Sequence, residues 1–459
     1  MTEMIICGAG RVGFNLARYL SRYNHTITVI DSDPDLISHI NERLEVKAIC
    51  GHASAPEVLR QAGAETAQMI IAVTQSDEIN MVTCEVAHAL FGIETKIARL
   101  RNKSYLDPRW SKLFGTSHLT IDFIISPEYE VAKSLLRTLS VPGALEVVPL
   151  MEDYLQLVAV RCSKDTPLIN TPIKQLTQLF PNLEIGVVGI MRDDRQWIPD
   201  ENDLFLEGDK VYFVAASQKI DDVMLAFGYE ELRTSKALIL GGGNIGLRLA
   251  QMLEEMPGGP QVTVIEKSEM RAAYVAEVLG DSIVLCGDAL DKEVLTEADI
   301  SSAQMVLAVT EDDRVNGLAA LLAKRLGGSR SLALINAGSF EPLVSSLGVD
   351  AVVNPRKVTV SKILEYINRH HLRAIYSLGT QWGEVVELEI FESSALVGLQ
   401  CAEVAVRGTL KIVAVLRSET LYIQTQHLTL QTGDVLVLVA SPQGRSKIEK
   451  FFPQHTVAH

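Results

Sequence analysis

Short apolar, β-branched runs alternate along this chain with amphipathic stretches. MIIC (4–7), TITVI (26–30), AIC (48–50) and MIIAV (69–73) are each followed by glycine or polar residues within a few positions, as buried strands commonly are. Between them, segments such as Arg11–Arg22 carry apolar positions at helical spacing. Strands alternating with helices predict parallel βαβ units and a doubly wound sheet. Beyond residue 140 the texture changes. The stretch 155–217 is strand-rich: an apolar strand, a short helix, a hairpin, then Gly208–Asp209 and a last strand.

The whole pattern then recurs. MIICGAGRVG (4–13) is echoed by ALILGGGNIG (237–246), and TITVIDSD (26–33) by VTVIEKSE (262–269). AICGHAS (48–54) returns as VLCGDAL (284–290), and MIIAVTQSDEIN (69–80) as MVLAVTEDDRVN (305–316). Gly8 thus maps to Gly241 and Asn80 to Asn316, offsets of 233 and 236 residues, with the motifs in one order. A second strand-rich stretch, 385–441, repeats the first and contains Gly433–Asp434. Both Gly-Asp pairs read as turn residues. The expected fold class is α/β: two doubly wound Rossmann-like parallel sheets, each followed by a small α+β domain. The expected boundaries are 1–139, 140–228, 235–370 and 373–455, with breaks near Ser140–Gly143, Gly228–Ser235 and His370–Ala374. A helix is expected over Asn244–Met256 to match Arg11–Arg22.

Length agrees, since 459 residues exceed what one core holds and predict about three or four units. A formal net charge of −15 argues against non-specific nucleic-acid binding, which needs clustered Lys and Arg. No stretch reaches the roughly 20 apolar residues that span a bilayer, and the N-terminal MTEMIICGAG lacks signal-peptide features. A cytoplasmic protein is expected. Cysteines 7, 50, 84, 162, 286 and 401 form no CxxC pair and read as reduced core thiols. His370 and His371 are adjacent, which makes a poor chelating pair on a helix, and no metal spacing is seen.

The chemistry sits in the glycine loops. Gly8, Gly10 and Gly13 follow a strand and open a helix, and Gly241, Gly243 and Gly246 do the same. In this motif the first glycine makes the turn, the second admits a pyrophosphate, and the third packs helix on sheet. Helix N-termini add oriented N–H donors for phosphate. Asp31 stands 23 residues after Gly8 and Glu266 stands 25 after Gly241, where a carboxylate receives the adenosine ribose hydroxyls and disfavours a 2′-phosphate. Thr74–Gln75 and Thr310–Glu311 end the fourth strands beside the same crevice. Asn80 and Asn316, on the next helices, fit a site role and a packing role equally. The copies differ in charge: Arg11, Arg99 and Arg101 are replaced by Asn244, Leu334 and Asn336. The first site is therefore expected to prefer the more anionic ligand.

This combination, GAGRVG with Asp31, AVTQSDEIN and IARLRN followed by a small domain, all twice, resembles the peripheral regulatory subunits of Trk-type bacterial potassium uptake systems (TrkA), which consist of two RCK domains. The resemblance covers essentially the whole chain. It implies binding of NAD or NADH and, in some members, ATP or ADP. It implies a homotetrameric ring on the cytoplasmic face of the inner membrane, under a membrane-embedded potassium-translocating subunit. Family binding positions carry over to Gly8, Ala9, Gly10, Arg11, Val12, Asp31, Thr74, Gln75 and Arg99. In the second half they carry over to Gly241, Gly242, Gly243, Asn244, Ile245, Glu266 and the loop of Thr310 and Glu311. His52 stands where the second copy has Asp288, a departure from the wider RCK pattern that puts an equal grip on the adenine side in doubt. SPEYEVAKSL (126–135) and NPRKVTVSKIL (354–364) resemble the family's crossover helices. Two other readings stay open. One is an NAD-dependent oxidoreductase, for which no His–carboxylate pair is evident and Lys133 and Lys357 read as solvent-facing helix charges. The other is a regulator of a different cation transport system.

Overall fold

The computed structural model describes residues 2–21, 25–114, 118–179, 183–193, 195–229, 235–338, 340–367, 372–378, 382–423 and 425–444. His370 and His371 lie outside them. The chain divides into two compact units, 1–131 with 355–366, and 132–354 with 367–459.

The first unit is built on alternating strands and helices. In order they are β1 (Glu3–Cys7), α1 (Arg11–Leu20), β2 (Thr26–Asp31), α2 (Pro34–Arg43), β3 (Lys47–Cys50) and α3 (Pro56–Gln61). Next come β4 (Met69–Ala72), α4 (Asp77–Phe91), β5 (Thr95–Arg99), β6 (Phe123–Ile125) and α5 (Pro127–Ser140), whose last turns belong to the second unit. The sheet order is β3-β2-β1-β4-β5-β6 with every pairing parallel. Chain order reverses between β1 and β4, and a crevice opens at such a switch point beyond the strand ends. The sheet is apolar on both faces: Ile5, Ile30 and Ile70 are fully buried on one with Leu59 from α3 and Cys84 from α4, and Ile6, Val29 and Ile71 are fully buried on the other. A helix from the far end of the sequence, Pro355–Ile367, also belongs here, and its Tyr366 stacks on Phe123 with ring centroids 4.3 Å apart.

The second unit begins with a five-stranded sheet. It contains β7 (Ala144–Leu150), β8 (Leu155–Arg161), α6 (Ile173–Leu179), β9 (Ile185–Arg192), β10 (Arg195–Trp197), β11 (Lys210–Ala216) and α7 (Ile220–Ala226). The second parallel sheet follows. Its elements are β12 (Lys236–Leu240), α8 (Asn244–Glu254), β13 (Gln261–Glu266), α9 (Glu269–Val278), β14 (Ile283–Cys286) and α10 (Lys292–Glu297). They continue with β15 (Met305–Ala308), α11 (Asp313–Arg325), β16 (Arg330–Leu334), α12 (Glu341–Ser346) and β17 (Ala351–Val353); α13 is the helix Pro355–Ile367 already assigned to the first unit. Strand order β14-β13-β12-β15-β16-β17 repeats that of the first sheet. The last sheet comprises β18 (Leu372–Leu378), β19 (Gly383–Glu389), α14 (Cys401–Val404), β20 (Leu410–Arg417), β21 (Thr420–Tyr422) and β22 (Val435–Ala440).

The two small sheets are antiparallel, ordered β10-β9-β11-β8-β7 and β18-β19-β22-β20-β21. One face of the first packs on α6 and α7 around Phe205, Phe213 and Phe227. Its other face meets the second small sheet: Leu157, Val188 and Val214 share one core with Val385, Val437 and Val439. Two glycines permit that approach. A Cβ on Gly186 would come within 3.1 Å of the Val413 carbonyl oxygen, and one on Gly189 within 2.5 Å of the Trp382 ring. Arg330 of β16 donates to the carbonyls of Thr138 and Val141, both at 3.1 Å, and to that of Ala144, which ends α5 firmly.

Among the described residues no helix is long and apolar enough to cross a membrane. Cys7, Cys84, Cys162 and Cys401 are buried thiols, as expected of core residues. Cys50 and Cys286 are not: each ends an edge strand, and both are exposed. Lys133 and Lys357 also depart from expectation, being half-buried and engaged by neighbours rather than facing solvent.

Candidate nucleotide sites

Each parallel sheet presents a glycine turn at its switch point. Gly8 has φ +112° and Gly241 φ +113°, a conformation that disfavours a side chain, and a Cβ on either would sit 3.0 Å from backbone of the β4 or β15 loop. A Cβ on Gly13 would lie 1.7 Å from the Gly8 carbonyl oxygen, and one on Gly246 1.9 Å from that of Gly241. These two glycines close the loop. Gly10 and Gly243 behave differently, because a Cβ on either would meet nothing within 4 Å. They leave a bare strip of backbone facing open space, as approach of a diphosphate requires.

The helices behind the loops are left ready for an anion. Gly10 caps α1 and Gly243 caps α8, and neither helix has a side-chain cap. By contrast Asp33, Ser76, Ser268 and Asp312 cap α2, α4, α9 and α11. The first-turn N–H groups of α1 and α8, including those of Val12 and Gly13 or Ile245 and Gly246, have no partner within their helix and carry its positive end.

The acidic residues arrive already anchored. Asp31 accepts from the Ala9 N–H at 2.6 Å and the Asp33 N–H at 2.9 Å. Glu266 repeats this with Gly242 at 2.7 Å and Ser268 at 2.8 Å. Each carboxylate is thereby fixed at the rim of its crevice while keeping acceptor capacity for a diol. The open strip, the uncapped helix and the held carboxylate fit an adenine dinucleotide or nucleoside diphosphate. Held there, it would meet Gly8 to Gly13 and Asp31 in one copy, Gly241 to Gly246 and Glu266 in the other.

The loops after β4 and β15 are locked from below. Asn80 is fully buried; its side-chain oxygen accepts from the Thr74 N–H at 2.9 Å and hydroxyl at 2.7 Å, while its amide donates to the Arg99 carbonyl at 2.8 Å. Asn316 does the same for Thr310 and the Leu334 carbonyl. The asparagines therefore hold the loop in shape, and the packing reading of them is the one the structure favours. Gln75 and Glu311 are exposed at the loop tips.

Charge differs between the copies in a way the sequence half-disclosed. In the first, Arg11 is exposed at the start of α1 and Arg99 is half-buried at the end of β5. Burial, followed by the charge of Arg101, holds the Arg99 pKa below its ordinary value, and its Nε is buried without a hydrogen-bond partner. A bound anion would relieve both. Asn244 and Leu334 occupy these places in the second copy, but that copy is not without a cation. Arg271, on α9, reaches over the glycine loop and donates from Nε to the Gly242 carbonyl at 2.8 Å and from Nη2 to the Asn244 side chain at 3.2 Å. Sequence reasoning missed it because its partner lies on another helix. The one available signal was an arginine five residues past the strand-ending acid. Asp288 pairs with Lys267 at 2.9 Å, whereas His52 is exposed.

Comparison with known proteins follows the repeat. The family model described as TrkA-N domain matches residues 4–127 and 237–355, and that described as TrkA-C domain matches 157–228 and 385–452. The Trk system potassium uptake protein TrkA of Azorhizobium caulinodans is 39% identical over 450 residues, 98% of each chain. The chain belongs to the TrkA family. The TrkA of Halomonas elongata is 35% identical over 98% of both chains. A solved RCK domain of GsuK has the same fold, with a TM-score of 0.60 at 19% identity over 98% of this chain and 94% of that one. A structure titled as the GsuK channel bound to NAD gives the same TM-score and covers 98% of this chain and 78% of its own. The fold of this chain thus recurs in a solved RCK domain.

Proposed function

We propose that this chain is a cytoplasmic, nucleotide-sensing regulatory subunit that gates a membrane-embedded potassium-translocating partner. NAD or NADH, and in addition ATP or ADP, are its ligands, and it performs no catalysis. Four copies form a ring on the cytoplasmic face of the inner membrane, each divided at 139/140, 228/235 and 370/373. The relatives named potassium uptake proteins support the system, and the NAD-bound GsuK channel supports the ligand. The observation that carries the reading is the pairing, in each half, of an uncapped glycine-headed helix with a carboxylate held at the crevice rim. A nucleotide that prefers one ring shape shifts the population toward it, and coupling of about 1–3 kcal/mol is enough for a several-fold change in opening.

Calorimetric titration of the full chain with NADH and ADP tests this. Asp31→Ala and Glu266→Ala should each weaken one site about tenfold or more, the worth of charged hydrogen bonds to a ribose. NADPH should bind more weakly than NADH, repelled by the same carboxylates. Unaltered affinity in both variants would overturn the site assignment. Potassium uptake by cells carrying the double variant, insensitive to nucleotide, completes the link to gating.

A further inference from the structure

The repeat has exchanged the position of its cation. Where the first copy has Arg11 at the start of α1 and Leu36 on α2, the second has Asn244 at the start of α8 and Arg271 on α9, aligned through Asp31–Glu266 and Ile37–Ala272. The guanidinium of Arg271 is braced by the Gly242 carbonyl and the Asn244 oxygen, both neutral, and its flank lies over the Tyr274 ring at 5.0 Å. It pairs with no carboxylate among the described residues. Its charge stands beside the uncapped N-terminus of α8, so two sources of positive potential converge on one spot. Like charges held together in this way are relieved by an anion between them, and a guanidinium gives phosphate a forked donor.

We propose that Arg271 is the phosphate-holding cation of the second site, doing from α9 what Arg11 does from the first turn of α1 in the first. The inference rests on the nucleotide-sensor reading and adds to it. The second site then is a nucleoside-diphosphate site in its own right, and its ligand bridges α8 and α9 directly. Glu266, at the start of the turn into α9, receives the ribose, and Arg271 receives the diphosphate.

The full chain is titrated with ADP and, separately, adenosine, which has no phosphate. The unmodified chain should take up two ADP per chain. Arg271→Ala should weaken ADP at one of these sites about tenfold and flatten its salt dependence, leaving adenosine unchanged. Arg271→Lys should recover part of the loss. In the first copy, Leu36→Arg should restore ADP binding lost through Arg11→Ala, a gain that impaired folding cannot mimic. Two ADP sites untouched by Arg271→Ala would overturn the inference while leaving the sensor reading intact. Equal loss of adenosine and ADP would overturn the phosphate role. An unmodified chain that binds neither ADP nor NADH would remove the sensor reading itself, and the inference with it.

Discussion

At the scale of single residues, the three glycines of each loop do three separable jobs, and substitution should separate them. Gly10→Ala places a methyl in open space on ordinary backbone, with φ −62°, so stability should stay within about 0.5 kcal/mol. NADH affinity at the first site should nevertheless fall at least tenfold, because the methyl occupies the diphosphate approach. Gly13→Ala should fail differently. Its Cβ cannot coexist with the Gly8 carbonyl, and displacing the loop should cost about 1–3 kcal/mol, seen as a lowered melting temperature even without ligand. Thermal melts and NADH titrations of both variants make the comparison; equal melting losses would refute it. These glycines were legible because a turn, a close approach and a helix contact each demand the residue type. Asn80 was not legible in the same sense. A buried amide and a ligand-facing amide look identical in sequence, and only its four bonds to Thr74 and Arg99 backbone and hydroxyl decide between them.

Among elements, the hairpins of the small sheets show what spacing alone conceals. Gly208 and Gly433 adopt φ of +88° and +85°, as their turn reading requires. The aspartates beside them do more than turn. Asp209, fully buried, takes Arg192 Nε at 2.7 Å, Nη2 at 2.8 Å and the Leu206 N–H at 2.8 Å. Asp434 receives Arg417 and the Gln431 N–H at the same distances. In both pairs the arginine lies 17 residues before the aspartate, a repeated interval that was visible but points to no mechanism until the strands are placed side by side. Removing the two partners should have unequal effects. Arg192→Met strands a fully buried carboxylate and should cost about 3–5 kcal/mol. Asp209→Asn leaves an arginine with 34% of its side chain exposed, which water can serve, and should cost about 1–3 kcal/mol. Urea unfolding of both variants tests the order, and a reversed order would mean the pair is not held together by burial of the acid.

For the molecule as a whole, the duplication was readable but the way its halves depend on each other was not. Sequence texture separates the parallel sheets from the antiparallel ones, because apolar runs buried on both faces differ from strands with one face turned out. It cannot say what covers that other face. Here Leu157 of β8, Val188 of β9 and Val214 of β11 are buried against Val385, Val437 and Val439 of the second small sheet. The second half also sends α13 back to the first unit. A fragment spanning residues 1–234 therefore keeps every residue of its own glycine loop yet loses the partner of one sheet face and a helix of its first unit. Burial at about 25 cal/mol per Å² makes several uncovered aliphatic and aromatic side chains worth several kcal/mol, comparable to the stability of a domain. The fragment should self-associate through the uncovered face, or melt well below the full chain, and its nucleotide affinity should depend on protein concentration. Sedimentation velocity of fragment and full chain, with and without NADH, measures this. A monodisperse monomeric fragment melting where the full chain melts would show that the common core contributes little, and that the two halves are joined only by their chain.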